Sequence, residues 1–235
     1  MTARVAALEE NLRAVRERIA TAARAAGRDP ASVALLAVSK TWPVDDVRAL
    51  SSLGQRDFGE NRAQELVAKA GELPGLPVRW HFVGQLQRNK AAAVARLGAL
   101  VHTVDRASLA RVLDRTGQEG AAVDVLVQVD LGGVAGEIAA RGGAAPDDVP
   151  PLADLVAECP GLRLRGLMAV APRGEEPGPA FERLAVLAAR VRADHPDAVE
   201  LSAGMSGDLE AAVAAGATIV RVGTALFGTR PLVSG

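Results

Sequence analysis

The chain has 235 residues, 49% of them hydrophobic, and 27 basic residues offset 28 acidic ones to leave a formal charge of −1. That length can bury a substantial core as one domain over residues 1–235. The charge balance excludes a field able to gather nucleic acid or an anionic membrane, so any ligand must be recognised locally. A single cysteine, Cys159, excludes an intramolecular disulfide and a cysteine-rich metal site and fits a reducing compartment. Glu9, Glu10 and Glu17 stand among the arginines of the N-terminus, which lacks the apolar run of a signal peptide or membrane span. A cytoplasmic protein without membrane contact is the expectation.

Val5, Leu8, Leu12, Val15 and Ile19 recur at three- and four-residue steps, which predicts an amphipathic helix within residues 1–27 lying on the domain. From there short β-rich runs alternate with longer helical patterns. The first strand candidate, 33–39, ends at Lys40 and is followed by a helical pattern at 44–53. Strand candidates follow at 57–60, 79–83, 100–104 and 123–130, with helical patterns at 62–70, 88–97 and 106–118 between and after them. The Gly- and Ala-rich stretch 131–146 departs from the rhythm and reads as a mobile loop over the C-terminal face. Its Arg141-Gly142-Gly143 is not a P-loop, since no Gly-Lys-Ser/Thr follows. A helical pattern at 147–158 leads to Cys159, at a packing position, and then to a strand at 162–168. Helical patterns at 179–194 and 207–215 separate the last strands, 199–202 and 218–222. Eight strands in βαβ order favour a single (β/α)8 TIM barrel over an open doubly wound sheet, although periodicity alone does not establish closure.

In such a barrel the strand ends and the loops after them build the active face. Lys40, one of three lysines, stands where an amine could form a Schiff base, or could merely cap its strand and snorkel to water. Lys69 is expected on a helix surface, replaceable without effect, and Lys90 at a solvated helix start. Asp105 reads as a helix cap. Gly204-Met205-Ser206-Gly207 precedes a helix whose opening amides can hold an anion, with the Ser206 hydroxyl as added donor or as a plain N-cap. Arg221-Val222-Gly223-Thr224 closes the last strand. The loops after strands seven and eight are where barrels frequently hold phosphate. A lysine amine and a phosphate site on one rim suggest pyridoxal 5'-phosphate (PLP).

The same residues carry a family resemblance. Ala37-Val38-Ser39-Lys40-Thr41, Phe58-Gly59-Glu60-Asn61, Trp80-His81-Phe82-Val83-Gly84 through Gln87-Arg88-Asn89-Lys90, Leu164-Arg165-Gly166-Leu167-Met168, and Gly204-Met205-Ser206 with Arg221-Val222-Gly223-Thr224-Ala225-Leu226-Phe227-Gly228 resemble, in order, the motifs of the pyridoxal phosphate homeostasis protein family, the YggS/PROSC type. The resemblance implies a single barrel similar to the N-terminal domain of alanine racemase, with an extra N-terminal helix. It implies a PLP-binding protein of vitamin B6 homeostasis that keeps free cofactor low and delivers it to, or buffers it for, PLP-dependent apo-enzymes. No catalytic residue, defined reaction or metal is implied. Carried over by motif, Lys40 bears PLP as a covalent imine, Asn61 lies near the ring, and His81 and Met168 form pocket walls. Ser206 with Gly223 and Thr224 holds the phosphate, and Arg221 faces the pyridine nitrogen.

An arginine there can only donate a hydrogen bond, so it keeps the ring nitrogen unprotonated and weakens the ring as an electron sink. Three positions depart from the family pattern: Arg141 replaces a frequent loop lysine that could relay the aldehyde, Ala203 a bulkier methionine, and Gln85 a proline-like position. The alternative is a PLP-dependent amino-acid racemase or related enzyme of this barrel group. Related racemases take a catalytic tyrosine from a second domain, and this chain has no tyrosine. A Schiff-base aldolase without cofactor and a purely structural barrel are the remaining readings. A monomer is the simpler expectation.

Overall fold

Strands of a parallel barrel are covered on both faces, which is why they read as continuous apolar runs. In the computed structural model, which describes residues 2–132 and 142–229, they are β1 (Ala34–Val38), β2 (Asp57–Glu60), β3 (Arg79–Phe82), β4 (Leu100–Val104), β5 (Val123–Val129), β6 (Leu162–Ala169), β7 (Glu200–Ser202) and β8 (Ile219–Val222). Each boundary lies within about one residue of its sequence reading. β8 returns to pair with β1 in parallel, Leu36 opposite Arg221 and Ala37 opposite Val222, so the barrel closes in chain order. That pairing rejects the open sheet.

The described helices are α1 (Ala3–Ala25), α2 (Val44–Ser52), α3 (Ala63–Glu72), α4 (Arg88–Ala95), α5 (Ala107–Gln118), α6 (Val149–Glu158), α7 (Pro177–Asp194), α8 (Leu209–Ala214) and α9 (Thr224–Phe227). Most of the core lies between these helices and the outer face of the sheet, with Leu50, Leu66, Leu109, Leu113 and Leu184 fully buried. Each such side chain contributes roughly 1.5–3 kcal/mol of burial. A second, small cluster of Leu36, Val38 and Ile219, flanked by Val83 and Leu100, fills part of the barrel interior.

α1 has a structural reason to exist. The helix after β8 is a single turn, too short to cover its share of the sheet, and α1 packs against α2, α8 and α9 to complete the outer ring. Its buried stripe is Leu8, Leu12, Val15 and Ile19, extended by Ala22 and Ala23, and the Thr2 hydroxyl caps it by accepting from Val5 N (3.3 Å). Polar latches tie it down: Asn11 Nδ2 donates to Leu226 O (2.9 Å) and Arg4 to Phe227 O (3.0 Å), while the Arg4 guanidinium lies 4.8 Å above the Trp42 ring.

Between β5 and β6 the register slips, with Leu164 opposite Val125 but Gly166 opposite Leu126, so Arg165 is an extra residue. Gly166 has φ 144°, and a Cβ there would stand 1.9 Å from Glu200 O, so no other residue lets β6 lie this close to β7. Of the predicted loop 131–146, Arg141 lies outside the described residues. The limb beyond it runs beside β5, where Ala144 N donates to Gln128 O (2.8 Å) and Ala144 O accepts from Asp130 N (2.9 Å). Among the described residues no helix is long and apolar enough to cross a membrane.

Candidate functional site

Lys40 follows β1 at the C-terminal rim and is half-buried. It occupies a tight turn in which Ser39 O accepts from Trp42 N (3.0 Å), and the next residue, Thr41, has φ 68°. A β-branched residue in the left-handed region is strained and persists only where its surroundings hold it. Here they do. Thr41 N donates to Glu65 Oε1 (2.6 Å), and Lys69 Nζ donates to Ser39 O (2.8 Å), Glu60 Oε1 (2.7 Å) and Glu65 Oε1 (2.9 Å). Ser39 Oγ also donates to Glu60 Oε1 (2.6 Å). Burial pushes the Glu60 carboxyl above its usual range, against the pull of Lys69 and Ser39.

Arg221 rises from β8 inside the barrel, nearly fully buried. Its two terminal nitrogens donate to Ser202 Oγ and Ala169 O, both at 2.7 Å. Burial lowers the guanidinium to about 10, so it remains a cation at neutral pH. Met168, buried, is paired with Gln128 and Ser202 and so borders the arginine's two acceptors. Asn61, exposed, follows β2 at the rim, its carbonyl pressed against Gly84 so closely that a Cβ there would stand 2.1 Å away.

The predicted phosphate residues come together. Ser206 Oγ accepts from Ala225 N (3.3 Å), which joins the loop after β7 to the turn holding Gly223 and Thr224. A Cβ on Gly223 would lie 3.4 Å from Val38 O, which sets this cluster beside the end of β1 and hence beside Lys40. The helix behind it is shorter than predicted: α8 begins at Leu209, and the Asp208 carboxylate already accepts from Met205 N (2.5 Å). The donors that this cluster could offer an anion are therefore hydroxyls and loop amides rather than the first turn of a long helix.

Three expectations need correction. His81 is not on the rim. Side chains alternate along a strand, so Val83 faces inward above it and His81 lies one layer down, its Nε2 3.1 Å from Asp57 Oδ1 and its Nδ1 2.9 Å from His102 Nε2. Lys69 is not a surface residue; it is 6% exposed and holds the turn of Lys40. Asp105 is not a cap, since α5 starts after Arg106 without a side-chain cap and Asp105 pairs with the Arg106 guanidinium. Of the two readings of Ser206, the plain N-cap of the following helix does not hold: α8 has Asp208 at its N-cap, and the Ser206 hydroxyl accepts from Ala225 N in the turn after β8. Sequence reasoning missed Asp57 and His102, which join Ser202 in an inward-facing polar set; their signal is polar residues at inward positions of otherwise apolar strands.

A cavity of about 590 Å³ opens at the opposite, N-terminal mouth, lined by Asp57, Arg79, Asp124, Arg165 and Glu200 among others. Its acids and bases largely pair with one another, as in Arg79–Asp57 (2.6 Å), and it lies away from Lys40. The C-terminal rim, where such barrels place their chemistry, is the candidate site.

A family model for the N-terminal domain of alanine racemase matches residues 5–231. The chain is 46% identical over 230 residues to a pyridoxal phosphate homeostasis protein of Pseudomonas aeruginosa, covering 95% of this chain and 96% of that one. The solved structure of PipY from Synechococcus elongatus with PLP bound superposes with a TM-score of 0.82 at 37% identity, over 94% of this chain and 100% of that one. An alanine racemase of Streptomyces coelicolor shares the fold (TM-score 0.74) at 21% identity, over 97% of this chain but 59% of its own. With that identity sustained over nearly the full length of both chains, this chain belongs to the pyridoxal phosphate homeostasis protein family, on a barrel of the alanine racemase N-terminal type.

Proposed function

We propose that this chain binds pyridoxal 5'-phosphate at the C-terminal rim and serves its intracellular homeostasis, acting as a cytoplasmic monomer that holds the cofactor and releases it to PLP-dependent apo-enzymes. The observation that carries the reading is the convergence on one rim of Lys40 in a strained, braced turn, a buried donor-only Arg221, and the joined Ser206 and Gly223-Thr224 cluster. These residues fit the group. Lys40 supplies the amine that condenses with an aldehyde and releases water. Ser206, Thr224 and the amides around Gly223 offer donors to a phosphate, and Arg221 offers one to a ring nitrogen. Asn61 and Met168 border the space between them.

When bound, the cofactor supplies an electron-withdrawing ring, and a partner that can only donate leaves that ring in its weaker, unprotonated form. Holding is thereby favoured over carbanion chemistry. The racemase alternative asks for a proton-transfer base at the rim. The chain has three histidines: His81 and His102 are bound to each other inside the barrel, and His195 pairs with Asp154 at the end of α7.

The test is an absorption titration with PLP, borohydride reduction and peptide mapping. A visible band with the reduced adduct on Lys40, both lost in Lys40→Ala, is the expected result. An adduct confined to Lys69 or Lys90, or no band at all, overturns the reading.

A further inference from the structure

Inside the barrel a single file of polar side chains runs from one mouth toward the other. Arg221 NH1 lies 2.7 Å from Ser202 Oγ, Ser202 Oγ 3.0 Å from His102 Nδ1, His102 Nε2 2.9 Å from His81 Nδ1, and His81 Nε2 3.1 Å from Asp57 Oδ1. These residues come from β8, β7, β4, β3 and β2, so the file crosses the sheet rather than following one strand.

The two ends have fixed roles. A guanidinium only donates and a carboxylate only accepts. Burial opposes ionisation of Asp57, yet hydrogen bonds from His81 and Arg79 and the charge of Arg79 outweigh it and hold the carboxyl below its usual range. Burial, with the charge of Arg221 beside it, holds His102 well below its ordinary value, so its ring is neutral and carries one N–H. Between a donor-only and an acceptor-only end, three neutral groups satisfy every contact in one way. Arg221 donates to Ser202, the Ser202 hydroxyl to His102 Nδ1, His102 Nε2–H to His81 Nδ1, and His81 Nε2–H to Asp57. The reverse order for the histidines needs a doubly protonated His81 and leaves the Ser202 proton without its place in the file. The groups facing His81 are Asp57, His102 and Arg79, with Asp124, Arg165 and Glu200 around the mouth beyond.

We propose that Asp57, acting through His81, His102 and Ser202, is a positioning residue that fixes the donor direction and the place of Arg221 from the opposite end of the barrel. The part of this that concerns the cofactor rests on the reading of Arg221 as the partner of the ring nitrogen. The file itself does not.

Ring nitrogen-15 NMR of the full chain without cofactor tests it. Both His81 and His102 are expected as Nε2–H tautomers. In Asp57→Ala the His102 Nδ1 resonance is expected to leave its unprotonated position and average between tautomers, whereas Asp57→Asn, whose amide oxygen still accepts, restores it. Ser202→Ala breaks the file from the other end and is expected to shift the same resonance. With PLP added, Asp57→Ala is expected to form the Lys40 adduct with a displaced visible band. Unchanged His102 resonances in both Asp57→Ala and Ser202→Ala, or a doubly protonated His81 in the unsubstituted chain at neutral pH, overturns the proposal. The expected tautomers in a chain that forms no adduct uphold the positioning file and overturn only the cofactor reading.

Discussion

Two buried polar assemblies flank the end of β1, and they solve the problem of burial in opposite ways. Outside the barrel, Lys69 sits within 3 Å of two carboxylates, a compact knot of charge that clamps the backbone of Ser39 and Thr41. Inside, the file from Arg221 to Asp57 keeps its guanidinium and its carboxylate at opposite ends, with a hydroxyl and two imidazoles between them. The knot secures position by Coulomb attraction in a dry place. The file conveys orientation through bonds of about 1 kcal/mol each. Breaking the knot strands a buried charge, whereas breaking the file costs little stability and alters which way its groups point.

The largest effect follows from the knot. Lys69→Met removes the ammonium bonded to Glu60 and is expected to cost about 3–5 kcal/mol of stability in urea unfolding. Adding Glu60→Gln is expected to recover most of it, because the one carboxylate then left without its cation, Glu65, is partly exposed and still accepts from Thr41 N. A loss in the single variant no greater than that of an exposed pair reduces the knot to a surface ion pair.

Acid titration separates the two assemblies by sign. His102 stays neutral in the fold while the unfolded chain takes up a proton near pH 6.5, so stability falls as pH drops below that value, by at most about 1.4 kcal/mol per unit. Asp57, whose carboxyl is lowered in the fold, contributes fully above about pH 3.9, and its contribution is lost as pH falls through its folded value. Glu60 runs the other way: its raised carboxyl takes a proton sooner in the fold, so its cost fades on acidification. Stability measured from pH 7 to 5 is expected to fall less steeply in His102→Gln than in the unsubstituted chain, and equal slopes refute the neutral ring.

The smallest effect concerns the turn that the knot braces. Thr41→Gly relieves a left-handed β-branched residue and is expected to stabilise by about 1 kcal/mol, after the added freedom of glycine in the unfolded chain is deducted. The loosened Lys40 is expected to form its borohydride-trapped adduct more slowly. A variant both stabler and equally fast shows the strain to be incidental.

The strands were legible because buried parallel strands are apolar on both faces and end abruptly at polar residues, as β1 does at Ser39 and Lys40. Closure was not legible, since the pairing of Ala34 with Ile219 joins residues at opposite ends of the sequence. Nor was α9, a single turn that continues from β8 without a periodic pattern. Lys69 was misread because charge outweighed position. It stands three residues from the buried Leu66 and four from Glu65, the spacing of a helix neighbour, with Glu60 across from it. His81 was misplaced by one layer, an error that strand periodicity makes easy because inward positions recur every second residue.

The closing seam also has a kinetic side. Arg221 pairs across to Leu36, and the helix that carries Ser206's partner Ala225 is latched to α1 by bonds from Arg4 and Asn11, more than two hundred residues away in sequence. Loops of that length close late, because the search grows with separation and the reward comes only on contact. A growing chain that has already made Lys40 therefore still lacks the seam. On this topology the lysine is synthesised among the earliest site groups but gains its pocket among the last, so capture of a ligand has to wait for the final strand to dock.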